Sequence, residues 1–295
     1  MNTTNSSTIE RPSALSRFFS GIGLLRESPV GMFGLALVLF WVTMAIIAPL
    51  LPLQDPLAAV MPFQKPLTAM PDGSHFFWLG TDDKGRDILS RVIWGSQRVL
   101  VWASLATVVA YFFGMLMGVA AGYLGGWWDE VISFVSNVLL SFPVMILYIL
   151  IVSYLGASGI NIVIAVTFAS APGIMRIVRG LILDLRTRDY VAAAQTRGEP
   201  AIRIMLVELL PNARGPLIVD ACLRLGYTVV AIATLGFLGL GLPPPDPDWG
   251  LMIKEAVPLG SFAGHMMVIP ALALSSLILG FNLLADGLRE ISLRD

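Results

Sequence analysis

Hydrophobic residues make up 56% of the 295-residue chain and charged residues only 13%, for a formal net charge of −1. A soluble domain carries charge on roughly a quarter of its residues, so lipid must replace water over much of this surface. No basic stripe offers a nucleic acid a footprint, and a single cysteine, Cys222, excludes an internal disulfide and a cysteine-based metal cluster.

In chain order, residues 1–12 read as a disordered polar tail without the positive cluster of a cleaved signal. Leu15, Phe18, Phe19 and Ile22 then recur at helical spacing, which suits a helix lying in the membrane interface and completes a unit over 1–29. Six apolar segments follow, at 30–51, 99–123, 131–155, 160–181, 216–241 and 264–285. Each reaches the roughly 20 residues a bilayer crossing needs, and only helices satisfy their own backbone in lipid. The expected fold is therefore an all-α polytopic membrane protein with six transmembrane helices.

The connection 52–98 is long and rich in proline (Pro52, Pro56, Pro62, Pro66, Pro71), so much of it should be irregular. From Asp87 it turns amphipathic, with Ile88, Leu89, Val92 and Ile93 on one side, and is expected to lie along the outer surface. Gly114, Gly118 and Gly122 stand four apart in the second span, a spacing that lets another helix backbone approach closely; a hinge is the competing reading. The fifth span ends in Gly236, Gly239 and Gly241, after which Pro243-Pro244-Pro245 should stop the helix. Arginine and lysine placement puts both termini in the cytoplasm. The loop 182–215 alone holds Arg186, Arg188, Arg197, Arg203 and Arg214, whereas Lys65, Lys84, Arg86, Arg91, Arg98 and Lys254 fall outside.

Candidate chemistry is sparse. Gly80 to Asp87 has the glycine spacing of a phosphate loop, but Arg86 and Asp87 stand where Lys and Ser/Thr are required, and Asp82, Asp83 and Asp87 would repel a triphosphate. The acidic trio could hold a cation or could cap a helix. His75 and His265 lack a second histidine at ligand spacing, so neither a catalytic nor a metal site is expected. Asp220 and Arg224, four apart near the start of the fifth span, should pair with each other.

The informative loop is 184–214. Asp189 suits a helix N-cap, Gly198 a helix stop, Pro200 a first turn and Pro211 a second stop, so two short helices are expected. Ala192, Ala193 and Ala194, beside Tyr190 and Val191, form a small-residue face able to sit close against another protein.

Asp189, Tyr190, Val191, Ala193, Ala194, Gly198, Leu210 and Pro211 resemble the EAA loop of ABC importer permeases, with Ala192 in place of the usual Glu and Glu208 in place of the usual Ile. The blocks at 79–95, 235–250 and 281–290 are similar to those of permeases for dipeptides, oligopeptides and nickel, and the long outer segment matches their C-type subunit. The resemblance implies a type I importer permease fold with a core over 99–295 and a coupling loop at 184–214, in a bacterial cytoplasmic membrane. It also implies a B-type permease partner, two ATPase subunits that bind ATP and magnesium, and an external substrate-binding protein. No cofactor is expected in this chain, and the solute is not legible.

Two surfaces follow as expectations. Thr234, Leu235, Gly236, Phe237, Leu238 and Gly239 should gate the pathway, since apolar constrictions close by dewetting. Asp82, Asp83, Arg86 and Trp249 should meet the binding protein. The alternative function is an ion-coupled secondary transporter, which would need ionisable relays deep in the spans.

Overall fold

The computed structural model describes residue 26 and residues 28–70, 73, 75–243 and 246–292. The polar tail, the interfacial helix read at 15–22, and Arg11, Arg17, Pro71, Pro244, Pro245 and Arg294 lie outside the described residues.

Helix α1 (Pro29–Ile47) starts where Ser28 accepts a hydrogen bond from the Gly31 amide at 3.3 Å, with Pro29 preset for the first turn. A 3₁₀ turn over Ala48–Leu50 ends it. The proline-rich segment is mostly irregular, as expected, with one antiparallel pair of two-residue strands, β1 (Thr68–Ala69) and β2 (Phe76–Phe77), in register Thr68↔Phe77. Helix α2 (Ile88–Leu124) follows as one rod of 37 residues, capped by Asp87, whose carboxylate accepts from the Ser90 amide at 2.8 Å. The amphipathic stretch is therefore not a separate surface helix, because no proline interrupts it and its backbone bonds run on into the span. At 1.5 Å per residue α2 is about 55 Å long, well beyond a hydrocarbon core of about 30 Å.

The expected third span is broken. Helices α3 (Gly126–Leu140) and α4 (Val144–Leu155) meet at 86°. Pro143 lacks an amide donor and its ring disfavours a helical conformation at Phe142, so the helix cannot continue through 141–143. Helix α5 (Gly159–Leu185) is capped by Ser158 and leads to the short α6 (Asp189–Thr196).

The second expected loop helix does not stop at Pro211. A turn of helix α7 (Ala201–Arg203) passes through a π-helical segment, Ile204–Leu209, directly into α8 (Leu210–Leu238). The 38 residues Ala201–Leu238 form one helical run, so the fifth span begins well before residue 216. The wider π turn absorbs the missing proline amide and the ring's clash with the preceding turn. At the far end Gly239, at φ +84°, ends α8 before the prolines do. The Leu240 and Gly239 amides reach back to the carbonyls of Leu235 and Gly236 at 2.8 and 2.9 Å, closing a Schellman stop. Helices α9 (Trp249–Ala256) and α10 (His265–Ser292) complete the described chain. Among the described residues, five helices are long and apolar enough to cross a bilayer, and the bent α3–α4 pair makes a sixth.

Packing decides between the two readings of the α2 glycines. A methyl built at Gly114, Gly118 or Gly122 would come within 2.6, 2.6 and 2.8 Å of the β-carbons of Ile174, Val178 and Ile182 on α5. The glycines are thus the floor of a groove that seats α5, the close approach on which helix association in lipid depends. Two buried clusters result. One joins Trp41, Val99, Ile162, Ile232, Trp249 and Leu277; the other joins Ile174, Val178, Ile182, Val191, Ile204 and Leu209 beneath α6. Trp41 is fixed in the first by donating to the Ser276 hydroxyl at 2.8 Å.

Candidate functional site

Helix α6 is positioned by its inner face. Val191 and Ala194 are fully buried against the second cluster, while Ala192, Ala193, Thr196 and Gly198 are exposed. Asp189 is the first residue of the helix rather than its cap, a place where its charge still favours the helix dipole. Gly198 takes φ +75°, which lets its own amide and that of Glu199 close onto Gln195 and Ala194 at 2.9 and 3.2 Å. Glu199 then pairs with Arg197 at 2.8 Å and Arg203 at 3.6 Å, tying the turn together. Tyr190 is half-buried and its hydroxyl has no hydrogen-bond partner, Leu210 is half-buried, and Pro211 is exposed.

The sequence reading missed three neighbours. Ile202, Leu206 and Val207 project into solvent at 60%, 54% and 56% exposure beside α6. Ile202 and Leu206, four apart in a charged loop, were the available signal. Together with Ala192 and Ala193 they offer a partner an apolar contact. A cleft of about 410 Å³ lined by Tyr123, Leu124, Arg186, Thr187 and Gln195 opens alongside.

At the opposite end the glycine-spaced loop binds itself. Gly80 and Gly85 take φ near +80°, and the Asp82 carboxylate accepts from the backbone amides of Lys84 and Arg86 at 2.9 Å each. Its other oxygen meets Arg86 Nε at 2.6 Å, and Arg86 continues to Glu255 on α9 at 2.9 Å. Lys84 adds a second bond to Glu255 at 2.7 Å. Asp82, Asp83 and Glu255 place carboxylate oxygens within 4.8 Å of one another. Cation pairing by Arg86 and Lys84 already balances Asp82 and Glu255. Burial opposes the charge on Glu255, but Lys84 and Arg86 together hold its pKa below the usual carboxylate value.

Two of the expected docking residues face inward. Trp249 is fully buried, donating to the Val92 carbonyl at 3.0 Å and packing edge-on against Trp41 at 4.9 Å; it is a core residue, not a docking one. Its side chain fits only because Gly95 leaves room, since a methyl there would sit 2.6 Å from the indole nitrogen. Asp82 is buried as well. Trp78, Phe63, Leu67 and Phe262 are among the groups that this end turns outward instead.

The expected gate residues also divide. Leu235 and Gly236 are buried, and Gly236 lies against the Asp248 carboxylate. Asp248 is fully buried and accepts from the amides of Gly250, Leu251 and Leu242 at 2.7, 3.1 and 3.3 Å. Burial pushes its pKa up, against the pull of those amides. Thr234 is half-buried and donates to the Val230 carbonyl at 2.8 Å; Phe237 and Leu238 are 43% and 46% exposed. Deeper in α8, Arg224 bonds Asp220 at 2.8 Å, the pairing read from their spacing, and Tyr111 donates to the same Asp220 oxygen.

Residues 110–294 match the family described as "Binding-protein-dependent transport system inner membrane component". The chain is 34% identical over 278 residues to a dipeptide transport system permease protein of Alkalihalophilus pseudofirmus, covering 94% of this chain and 90% of the relative. It is 40% identical over 213 residues to a glutathione transport system permease protein of Escherichia coli, covering 72% and 70%. In fold it is similar to a chain of the inward-facing MetNI methionine ABC transporter, with a TM-score of 0.52 and 22% identity over 66% of this chain and 94% of that one.

Proposed function

The chain belongs to the family of inner-membrane components of binding-protein-dependent transport systems, and on that footing we propose that it imports peptides or peptide-like solutes, driven by ATP that partner subunits hydrolyse. It is a membrane-spanning permease component; the ion-coupled alternative draws no support from its relatives. The observation that carries the ATP-driven reading is the uncovered patch of Ala192, Ala193, Ile202, Leu206 and Val207, set on α6 and on the root of α8. A load on that patch reaches α8 directly, because α7, the π segment and α8 are one rod.

In this reading each of two ATPase subunits, with its ATP and magnesium, holds one such loop, this chain's and that of a similar B-type permease. The α6 end and both termini then lie in the cytoplasm, and residues 52–87 with α9 face a substrate-binding protein. Phe63, Leu67, Trp78 and Phe262 replace Trp249 as its docking face. Phe237 and Leu238, rather than Leu235, form the apolar gate. ATP-driven closure of the ATPases rocks α8 and exposes the route to one side at a time.

The test is uptake by the complete complex in proteoliposomes, with labelled dialanine and glutathione. Uptake that requires ATP and the binding protein is the expected result. Uptake driven by an imposed proton or sodium gradient without ATP would favour the ion-coupled alternative.

A further inference from the structure

A cavity of about 480 Å³ opens where the end of α1 meets α2. Its walls come from the 3₁₀ turn after α1 and the segment up to Leu57, from Trp94 and Arg98 of α2, and from Asp246 and Pro247 ahead of α9. Both helices give its depth. Pro29–Leu50 is one apolar run of 22 residues, about 33 Å long at 1.5 Å per residue, so the 3₁₀ turn stands at the edge of a hydrocarbon core of about 30 Å. Trp127 and Trp128, 66% and 53% exposed just past the far end of α2, mark the opposite interface. From Leu124 back to Arg98 is about 39 Å along α2, between the hydrocarbon thickness and the roughly 40–45 Å that includes the headgroups. The cavity therefore sits at headgroup depth.

The charges in its wall do not cancel. Arg98 bonds Asp246 at 2.8 Å, yet the two side chains remain 43% and 33% exposed. Asp55 is exposed, and its carboxylate accepts from the Leu57 amide at 2.9 Å; among the described residues no cation pairs with it. One cation thus faces two carboxylates. That balance repels an anionic headgroup and leaves Asp55 open to an ammonium, while the guanidinium keeps donors beyond the one that Asp246 uses. Trp94, Leu51, Leu53 and Leu57 supply apolar wall, and Ile46 and Leu50, neighbours of that wall on α1, are 68% and 82% exposed.

We propose that the cavity holds the headgroup of an ethanolamine phospholipid: Asp55 takes the ammonium, Arg98 takes a phosphate oxygen without leaving Asp246, and the acyl chains lie along α1 over Ile46 and Leu50. A phosphodiester and a primary ammonium on one neutral headgroup match the charges of the wall. Phosphatidylglycerol brings no cation for Asp55, and the methylated nitrogen of choline has no N–H to donate. The site ties the root of the 52–87 segment to the bilayer. It depends neither on the solute carried nor on which end of the molecule faces the cytoplasm.

The test is photo-crosslinking in phosphatidylcholine proteoliposomes that hold the complete complex and a trace of phosphatidylethanolamine with a diazirine at the start of one acyl chain. Adducts mapped by mass spectrometry should fall on residues 46–57. Unlabelled phosphatidylethanolamine should compete for them, and equal amounts of phosphatidylglycerol should not. Below saturation, Asp55→Asn should cut the yield about tenfold, the effect of losing one charge-assisted hydrogen bond, and Arg98→Gln at least as much. Asp55 is exposed, so its variant assembles and decides the matter even if Arg98→Gln does not. No adduct on 46–57, a yield unchanged in Asp55→Asn, or equal competition by phosphatidylglycerol would overturn the site and leave ordinary boundary lipid. Competition by soluble glycerophosphoethanolamine as strong as by the lipid would make the occupant a soluble solute. Loss of the adducts when the binding protein is added would give the cavity to that protein, and either result overturns the proposal.

Discussion

At the end capped by residues 52–87, the charges of Asp82, Arg86, Glu255 and Asp248 are bonded within the chain, and Trp249 is sealed beneath them. At the α6 end, Ile202, Leu206 and Val207 stand uncovered, and only the inner face of α6 is packed. The first end is complete by itself and resists change because buried polar groups are costly to unpair. The second leaves Ile202, Leu206 and Val207 together at an exposed apolar surface, the kind of grouping that marks an interaction site. A lesion at the capped end should therefore cost folding, and a lesion at the α6 end should cost coupling.

Gly250→Val should have the largest effect, because a β-carbon there overlaps the Ala233 carbonyl where α9 crosses α8. The expected outcome is no folded, monodisperse protein on size-exclusion chromatography in detergent; a well-behaved peak would break the view of this end as a closed unit. Ala193→Trp tests the opposite end. The side chain is exposed, so thermal unfolding in detergent should shift little, while ATP-dependent uptake by the assembled complex falls by an order of magnitude or more. Normal uptake would remove α6 from the coupling path.

Acid and base titrations sharpen the contrast within the capped end. Asp248 has a raised pKa in the fold, so its native form binds protons more tightly than the unfolded chain. Its contribution is present below the ordinary aspartate value of 3.8 and is lost as pH rises through the raised value. Glu255, with its pKa lowered, has the opposite sign: its contribution is present above 4.5 and lost as pH falls through the lowered value. Thermal unfolding followed across that acid range should show Asp248→Asn flattening the loss on the rising side and Glu255→Gln flattening the loss on the falling side. Identical profiles for the two variants would contradict both assignments. Lys84→Met should do least. The lysine side chain is 53% exposed, so its pair with Glu255 contributes less than about 1 kcal/mol, and the melting temperature should hardly move.

Hydropathy located the apolar crossings because each records its environment residue by residue: a segment in lipid must be apolar along its length whatever it packs against. The Asp87 cap and the Asp220–Arg224 pair were legible for a similar reason, since they join residues three and four apart. The punctuation of the loop at 184–214 also announced a short helix from Asp189 that Gly198 stops, and α6 runs over Asp189–Thr196 with Gly198 at φ +75°. Element ends were less legible. Pro143 breaks a span that mean hydropathy runs straight through, whereas Pro211 breaks nothing, because the π turn before it widens to receive the ring. Tertiary structure alone decided what faces what. Trp249 reads from sequence as a contact for the binding protein, yet Gly95, more than 150 residues earlier, leaves the space that buries it. The segment expected to gate splits between the buried Leu235 and the exposed Phe237, with Asp248 returning against Gly236, and Ile202, Leu206 and Val207 become a surface because no later element of the described chain covers them. Composition and short spacings are local properties of a sequence, but burial depends on segments that meet only after the chain has folded.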